Sequence, residues 1–258
     1  MTATSIHVSL GEVAASLALV ALAIAISFWR QTDLEGDIAI ATVRSLVQLT
    51  AIGFAIELIF EADTIWLVLA LLAVMVLFGA LTARSRAKKV PGAFWPLLIG
   101  LAIAGASTLV LIVALGIFEA TPRYLVPIGG MVIGNAMTSS AVALNRLGDE
   151  IGDSRAAIEA TLALGATARE AAAPFVRRAL RSGTIALVDS TKTTGLIFFP
   201  GTMVGMLLAG ADPTDAVRLQ LILLYALLGS VAIAGLVATV LAYRNFFTSA
   251  QQLREPGA

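Results

Sequence analysis

Residues 153–183 read DSRAAIEATLALGATAREAAAPFVRRALRSG, the longest polar stretch in a strongly apolar chain. This stretch decides how the rest is arranged. It lies between two apolar blocks, which makes it a loop carrying helices of its own. Ser154 stands where an N-cap belongs, ahead of a short helix over residues 155–164, and Gly165 supplies the stop. Thr167-Ala168-Arg169-Glu170 then fits the S/T-x-x-E capping box, in which the two side chains satisfy each other's free backbone donors. A second helix is predicted to start there. Ile158, Leu162 and Gly165 share one face of the first helix at i, i+4, i+7 spacing. Such a face suits a groove on another protein. It equally suits a helix lying on a membrane surface.

Outside this loop the chain is built for lipid. It has 258 residues, 59% hydrophobic and only 13% charged, with a mean hydropathy of +0.93. A helix needs ~20 apolar residues to cross a bilayer, and several runs reach that length. Continuous runs favour helices over the alternating strands of a barrel. The predicted fold is an all-α polytopic membrane protein, one transmembrane domain over residues 1–258 with a cytoplasmic loop over residues 148–183. A net charge of zero gives no bulk attraction to nucleic acid. There is no cysteine and one histidine, His7, which excludes disulfides, thiolate metal sites and histidine-based catalysis within the chain. The N-terminus lacks a basic n-region and a small-residue cleavage site, so the first apolar run reads as a retained span.

The spans are predicted over residues 8–29, 38–60, 64–83, 94–118 and 124–147, then 184 to about 199 followed by a bent or re-entrant piece, and finally a span that Thr214 caps and that ends near Arg244. The third is almost purely apolar, as a lipid-facing helix would be. The fifth carries Gly129-Gly130, Gly134-Asn135 and Thr138-Ser139-Ser140, a composition for a buried or path-lining helix. Two spans separate the Arg84–Lys89 cluster from the Arg155–Arg181 cluster, so both fall on one side. Placing them in the cytoplasm gives about seven spans with the N-terminus outside and the C-terminus inside. The expected location is the inner (plasma) membrane.

Chemistry-bearing residues are few. No Walker A, G-x-S-x-G or H-E-x-x-H motif is present, so the chain is not expected to be an enzyme. Asp189 and Lys192, at i, i+3 inside an apolar block, either line a translocation path or neutralise each other as a brace. Pro200-Gly201 breaks the same block, and irregular backbone at membrane depth must face water or protein. Met203 and Met206 follow as soft metal ligands or core filler. Gln48, one turn after Arg44, and Asn135 complete the polar candidates for the path, with Asp189 the candidate metal ligand.

Glu159-Ala160 with Leu162, followed by Gly165-Ala166-Thr167, resembles the EAA-type loop of ABC-transporter permeases. IGNAMTSSAVALNRL, EATLALGATAREAA, DSTKTTGLIFFPGTMVGMLLAGADPTDAVRLQ and VRSLVQL together resemble the FetB-type permeases, a family of bacterial iron-export permeases and plant permeases linked to aluminium tolerance. The resemblance covers nearly the whole chain from Ile38 onward. This chain has alanine and threonine where the EAA pattern usually shows a second alanine and a polar residue, a small departure. The resemblance implies a permease subunit of an ABC transporter that exports a metal ion such as iron, with the loop as a coupling helix seated on a separate ATPase. It implies a permease homodimer, no cofactor in this chain, and ATP and Mg bound by the ATPase. Iron and nucleotide sugars are both cargoes proposed within the family. The rival class is a secondary carrier driven by an ion gradient.

Overall fold

The structure, a computed structural model, describes residues 9–62 and 64–254. His7 and Asp63 lie outside them. The described residues form nine α-helices and a closing 3-10 turn: α1 Leu10–Arg30, α2 Glu35–Ala62, α3 Ile65–Arg86, α4 Phe94–Ala114, α5 Pro122–Asp153, α6 Arg155–Ala163, α7 Ala168–Thr193, α8 Gly201–Leu208, α9 Pro213–Ala242, and Tyr243–Phe246. Six of them, α1 to α5 and α9, are long and apolar enough to cross a membrane. The all-α polytopic architecture expected from the apolar runs is the one observed.

Helices α4, α5 and α9 form the centre, with α3 packed on α4 and α5, and α7 on α5 and α9. Small residues allow the close approaches. A Cβ on Gly100 would meet the Ala234 carbonyl oxygen at 3.0 Å, and one on Gly183 would meet the Ser139 carbonyl oxygen at 2.7 Å. In a bilayer, where lipid competes on equal apolar terms, such backbone approaches are what favour helix–helix contact. The core divides into two layers. One gathers Leu97, Leu101, Leu144, Leu147, Ile158 and Ala238. The other gathers Ile59, Val68, Leu109, Leu125, Val132 and Leu223. Helix α3 is not purely lipid-facing: Val68, Leu72, Gly79, Ala80 and Ala83 are buried along one side. The α1–α2 hairpin, tied by Ser27 Oγ to Glu35 (3.0 Å) and to the Leu34 N–H (3.1 Å), stands largely apart, with little of either helix buried.

Three long-range contacts fix one end of the bundle. Lys89 after α3 pairs with Asp149 on α5. Asn245 Nδ2 donates to the Pro91 carbonyl at 2.8 Å. Arg155 Nη1 donates to the Arg254 carbonyl at 2.7 Å. That end therefore gathers the Arg84–Lys89 cluster, α6, the start of α7 and the C-terminal tail. Helix α5, with 32 residues, rises about 48 Å at 1.5 Å per residue, against ~30 Å of hydrocarbon. One end must project, and the ion pairs of Arg146 and Arg178 with Glu150 mark which one.

Several boundaries differ from the expected ones. The stretch over 148–183 is not an independent loop. Its first residues continue α5, and from Ala168 onward it is α7, which runs on without a break to Thr193. Hydropathy drops where a helix leaves lipid, but backbone hydrogen bonding does not have to stop there. The helix also ends at Thr193, not near Phe199. Thr194 adopts an extended φ of −60° and ψ of 133°, and Gly195 has a φ of +83°. Residues 194–200 are irregular, and α8 follows. Asp212, not Thr214, caps α9: its carboxylate accepts from the Thr214 N–H at 2.8 Å, with Pro213 at the first helical position.

Candidate functional site

The short helix α6 sits at the tip of the projecting end. Ser154 makes no side-chain cap, and the helix closes at Ala163, one residue earlier than its sequence suggests. Gly165 turns the chain with a φ of +92°, a left-handed value that only glycine adopts freely. Thr167 then opens α7 with the capping box expected of it. Glu170 N–H donates to Thr167 Oγ1 at 3.3 Å, and the Thr167 N–H donates back to Glu170 Oε2 at 2.8 Å. The Thr167 backbone N–H, and after it the Thr167 hydroxyl, hold the Glu170 carboxyl below its ordinary value.

The apolar face of α6 points the other way from the one a groove-binding helix needs. Ile158 is fully buried in the chain's own core, and Leu162 packs against that core. What α6 offers outward is Ala157, Glu159, Ala160, Ala163 and Leu164, with Leu164 90% exposed at the apex. Glu159 is half exposed and paired to Arg155 at 2.8 Å. Ala166 is half-buried and Thr167 exposed beside the turn.

The C-terminal tail holds this corner in place. Gln251 Oε1 accepts from the Ala168 N–H at 2.9 Å, filling a first-turn donor of α7. Arg155 reaches the Leu253 and Arg254 carbonyls. Phe247 and Leu253 bridge as a small antiparallel pair, and both pack against the core. Nothing in the local sequence signals these contacts, because their partners lie 83 and 99 residues away in the chain.

A set of polar residues lies where α5 and α7 face each other. A groove of about 270 Å³ between them is lined by Asn135, Thr138, Ser139, Ser182 and Ser190. Ser139 Oγ donates to the Gly183 carbonyl at 2.6 Å and locks the two helices at the groove floor. Asn135 does not bridge helices; its Nδ2 donates to the Met131 carbonyl of its own helix at 2.9 Å. Asp189 and Lys192 pair with each other at 2.9 Å, with both side chains well exposed. Pro200 is the N-cap of α8 and Gly201 its first residue. Met203 is buried and Met206 half-buried, so Met203 serves as packing. Gln48 lies on α2, exposed along with Arg44. The structure thus brings Asn135 to the α5–α7 groove and sets Asp189, Lys192, Pro200 and Gly201 around the break that ends α7. Gln48 is on a separate hairpin. Among the described residues no three of His, Asp or Glu converge as a metal site.

Residues 10–247 match the model of the uncharacterised protein family UPF0014. The chain is 41% identical to the protein ALUMINUM SENSITIVE 3 of Arabidopsis thaliana, over 93% of this chain and 88% of that protein. It is 39% identical to the UPF0014 membrane protein STAR2 of Oryza sativa subsp. japonica, over 93% of this chain and 85% of the relative. It is 34% identical to the probable iron export permease protein FetB of Escherichia coli (strain K12), over 94% and 93% of the two chains. No solved structure matches.

Proposed function

The chain belongs to the UPF0014 family of membrane proteins, and from that premise we propose that it is the permease subunit of an ABC transporter, exporting a metal ion such as iron. The observation that carries this reading is α6. It is a short helix at the projecting tip of the bundle, stopped by a left-handed glycine, with its inner face in the core and its outer face free. A helix held that way passes a push on its outer face directly into α5 and α7. ATP binding would close a pair of ATPase subunits, and the coupling helices would turn that closure into rigid-body rocking of the spans. The relative named a probable iron export permease supports the cargo class.

In this reading the basic end faces the cytoplasm. It carries Arg84, Arg86, Lys88 and Lys89 together with the Arg155–Arg181 cluster, while Arg123 and Arg218 lie towards the other. The broken α7–α8 unit is the seventh crossing, so the N-terminus is outside and the C-terminus inside. Two ATPase sites and one coupling helix per chain call for a two-fold permease dimer. The exposed α1–α2 hairpin, with Arg44 and Gln48 uncovered on it, supports a second copy, because polar side chains at that depth require protein or water beside them. The path runs along the α5–α7 groove to the α7–α8 break. There Asp189 offers a hard oxygen ligand, and two copies would present two such carboxylates.

A cysteine-free chain makes the docking test clean. A single cysteine at Leu164 is expected to cross-link to the ATPase subunit in membranes containing both, whereas one at Leu115, at the opposite end, does not. Absence of cross-linking from Leu164, Ala163 and Ala160 alike would remove α6 as the docking element.

A further inference from the structure

Trp95, on the first turn of α4, stands 65% exposed at the basic end of the bundle between two grooves. One, of about 720 Å³, runs along the α3–α4 connection and is lined by Arg84, Lys88 and Phe94. The other, of about 520 Å³, lies between α4 and α9 and is lined by Arg244, Asn245 and Arg254 above Pro96, Ile99 and Leu241, with Arg254 Nε donating to the Phe247 carbonyl at 3.3 Å. No described acidic residue lines either groove. The ion pairs among the described residues engage Lys89, Arg146, Arg155, Arg178, Lys192 and Arg218, and leave Arg84, Lys88 and Arg244 without a carboxylate. The positive charge around Trp95 is therefore not neutralised from within these contacts. Beneath it the exposed surface is apolar, with Ile99 at 40% exposure.

A charged rim above an apolar wall, divided by an indole, matches an amphiphile with an anionic head. Tryptophan settles at the level of lipid headgroups, and basic pockets between spans take acidic headgroups. Asn245 holds the loop that separates the grooves through its bond to the Pro91 carbonyl at 2.8 Å, so the rim is formed before any ligand arrives. We propose that these grooves bind the phosphate headgroup of an acidic phospholipid, with Arg84 and Lys88 on one side of Trp95, Arg244 on the other, and an acyl chain along Ile99 and Leu241. The site is independent of what the protein transports and of the docking assigned to α6.

Tryptophan fluorescence tests it. The chain has three tryptophans, and Trp29→Phe with Trp66→Phe leaves Trp95 as the only one. This variant is placed in vesicles of phosphatidylcholine and phosphatidylglycerol at fixed ratio, with one or the other brominated on its acyl chains. Quenching by brominated phosphatidylglycerol is expected to exceed its bulk share by severalfold. Arg84→Gln, Lys88→Gln and Arg244→Gln together return it to the bulk share. Arg169→Gln with Arg177→Gln, which removes charge from α7 at the same end, leaves the enrichment in place. Equal quenching by the two lipids overturns the proposal. So does an equal loss in the α7 variant, which would mean only the general field of the basic end. Reversal by millimolar inorganic phosphate also overturns it, since the site would then bind a free anion. Circular dichroism of each variant in the same vesicles confirms that it remains folded, and the single change Arg244→Gln, expected to lower the enrichment by part, serves if the triple variant does not fold.

Discussion

Arg178 on α7 reaches across to the buried Glu150 carboxylate on α5, with Nε and Nη2 each 2.7 Å from Oε2. Arg146, one turn back on α5, holds the other oxygen at 2.7 Å. This contact joins the two long helices just below α6, so a force on α6 meets a stiff pair and not a single helix. Removing the carboxylate with Glu150→Ala is expected to cost about 1.5–3 kcal/mol, the range for hydrogen bonds to a charged group. The cost is moderated because both guanidiniums remain about half exposed and can regain water. Thermal unfolding in detergent micelles measures it; an unchanged midpoint would mean that the contact carries no load.

Gly183 makes the second joint of the same pair. An added Cβ there would meet the Ser139 carbonyl oxygen and the Ala143 Cβ, both at 2.7 Å, and a backbone oxygen has no rotamer by which to yield. Gly183→Ala is expected to destabilise by about 1–3 kcal/mol, as overpacking does. Gly134→Ala is the control, since nothing lies within 4 Å of its added Cβ. Melting curves of the two variants should separate clearly.

Gly165→Leu and Glu159→Lys act on α6 itself. Leucine at a φ of +92° is strained whatever space surrounds it, by about 1–2 kcal/mol. Lysine at 159 replaces the partner of Arg155 with a like charge. Both variants should leave the spans folded and lower transport per ATP hydrolysed. Normal flux at normal ATP turnover in both would reduce α6 to a surface helix.

The tail predicts a motion. A spin label on a single cysteine at Ala163 should gain mobility when residues 248–258 are deleted, because Gln251 no longer caps α7 and Arg155 loses two carbonyl acceptors. A label at Val110 should not change. Equal spectra at Ala163 would show that α5 and α7 alone hold the corner.

How much of this was legible in the sequence follows from how local each cause is. The Thr167–Glu170 box closes within four residues and was readable. Periodicity put Ile158 and Leu162 on one face, but it cannot say what covers that face, and the chain's own core does. Asp212 before Pro213 carried the signal for the α9 cap that Thr214 was given, since proline favours the first helical position. Thr193-Thr194-Gly195 likewise marked the end of α7 earlier than hydropathy suggested, β-branched residues and glycine both being poor helix formers. The Gln251 and Arg155 contacts depend on the folded bundle and have no local trace.

Asp189 and Lys192 pose the sharpest question about the path. Their 2.9 Å pair is self-sufficient and exposed. If it only balances charge, Asp189→Leu with Lys192→Met should be neutral or mildly stabilising. As part of the path, the folded double variant should keep ATPase binding and lose flux.

The most direct measurement of the central claim is ferrous iron flux in vesicles containing this protein with and without the proposed ATPase subunit, at clamped ion gradients. ATP-dependent export that disappears without the ATPase is the predicted result. Iron flux driven by a proton or sodium gradient in vesicles holding the permease alone would contradict it.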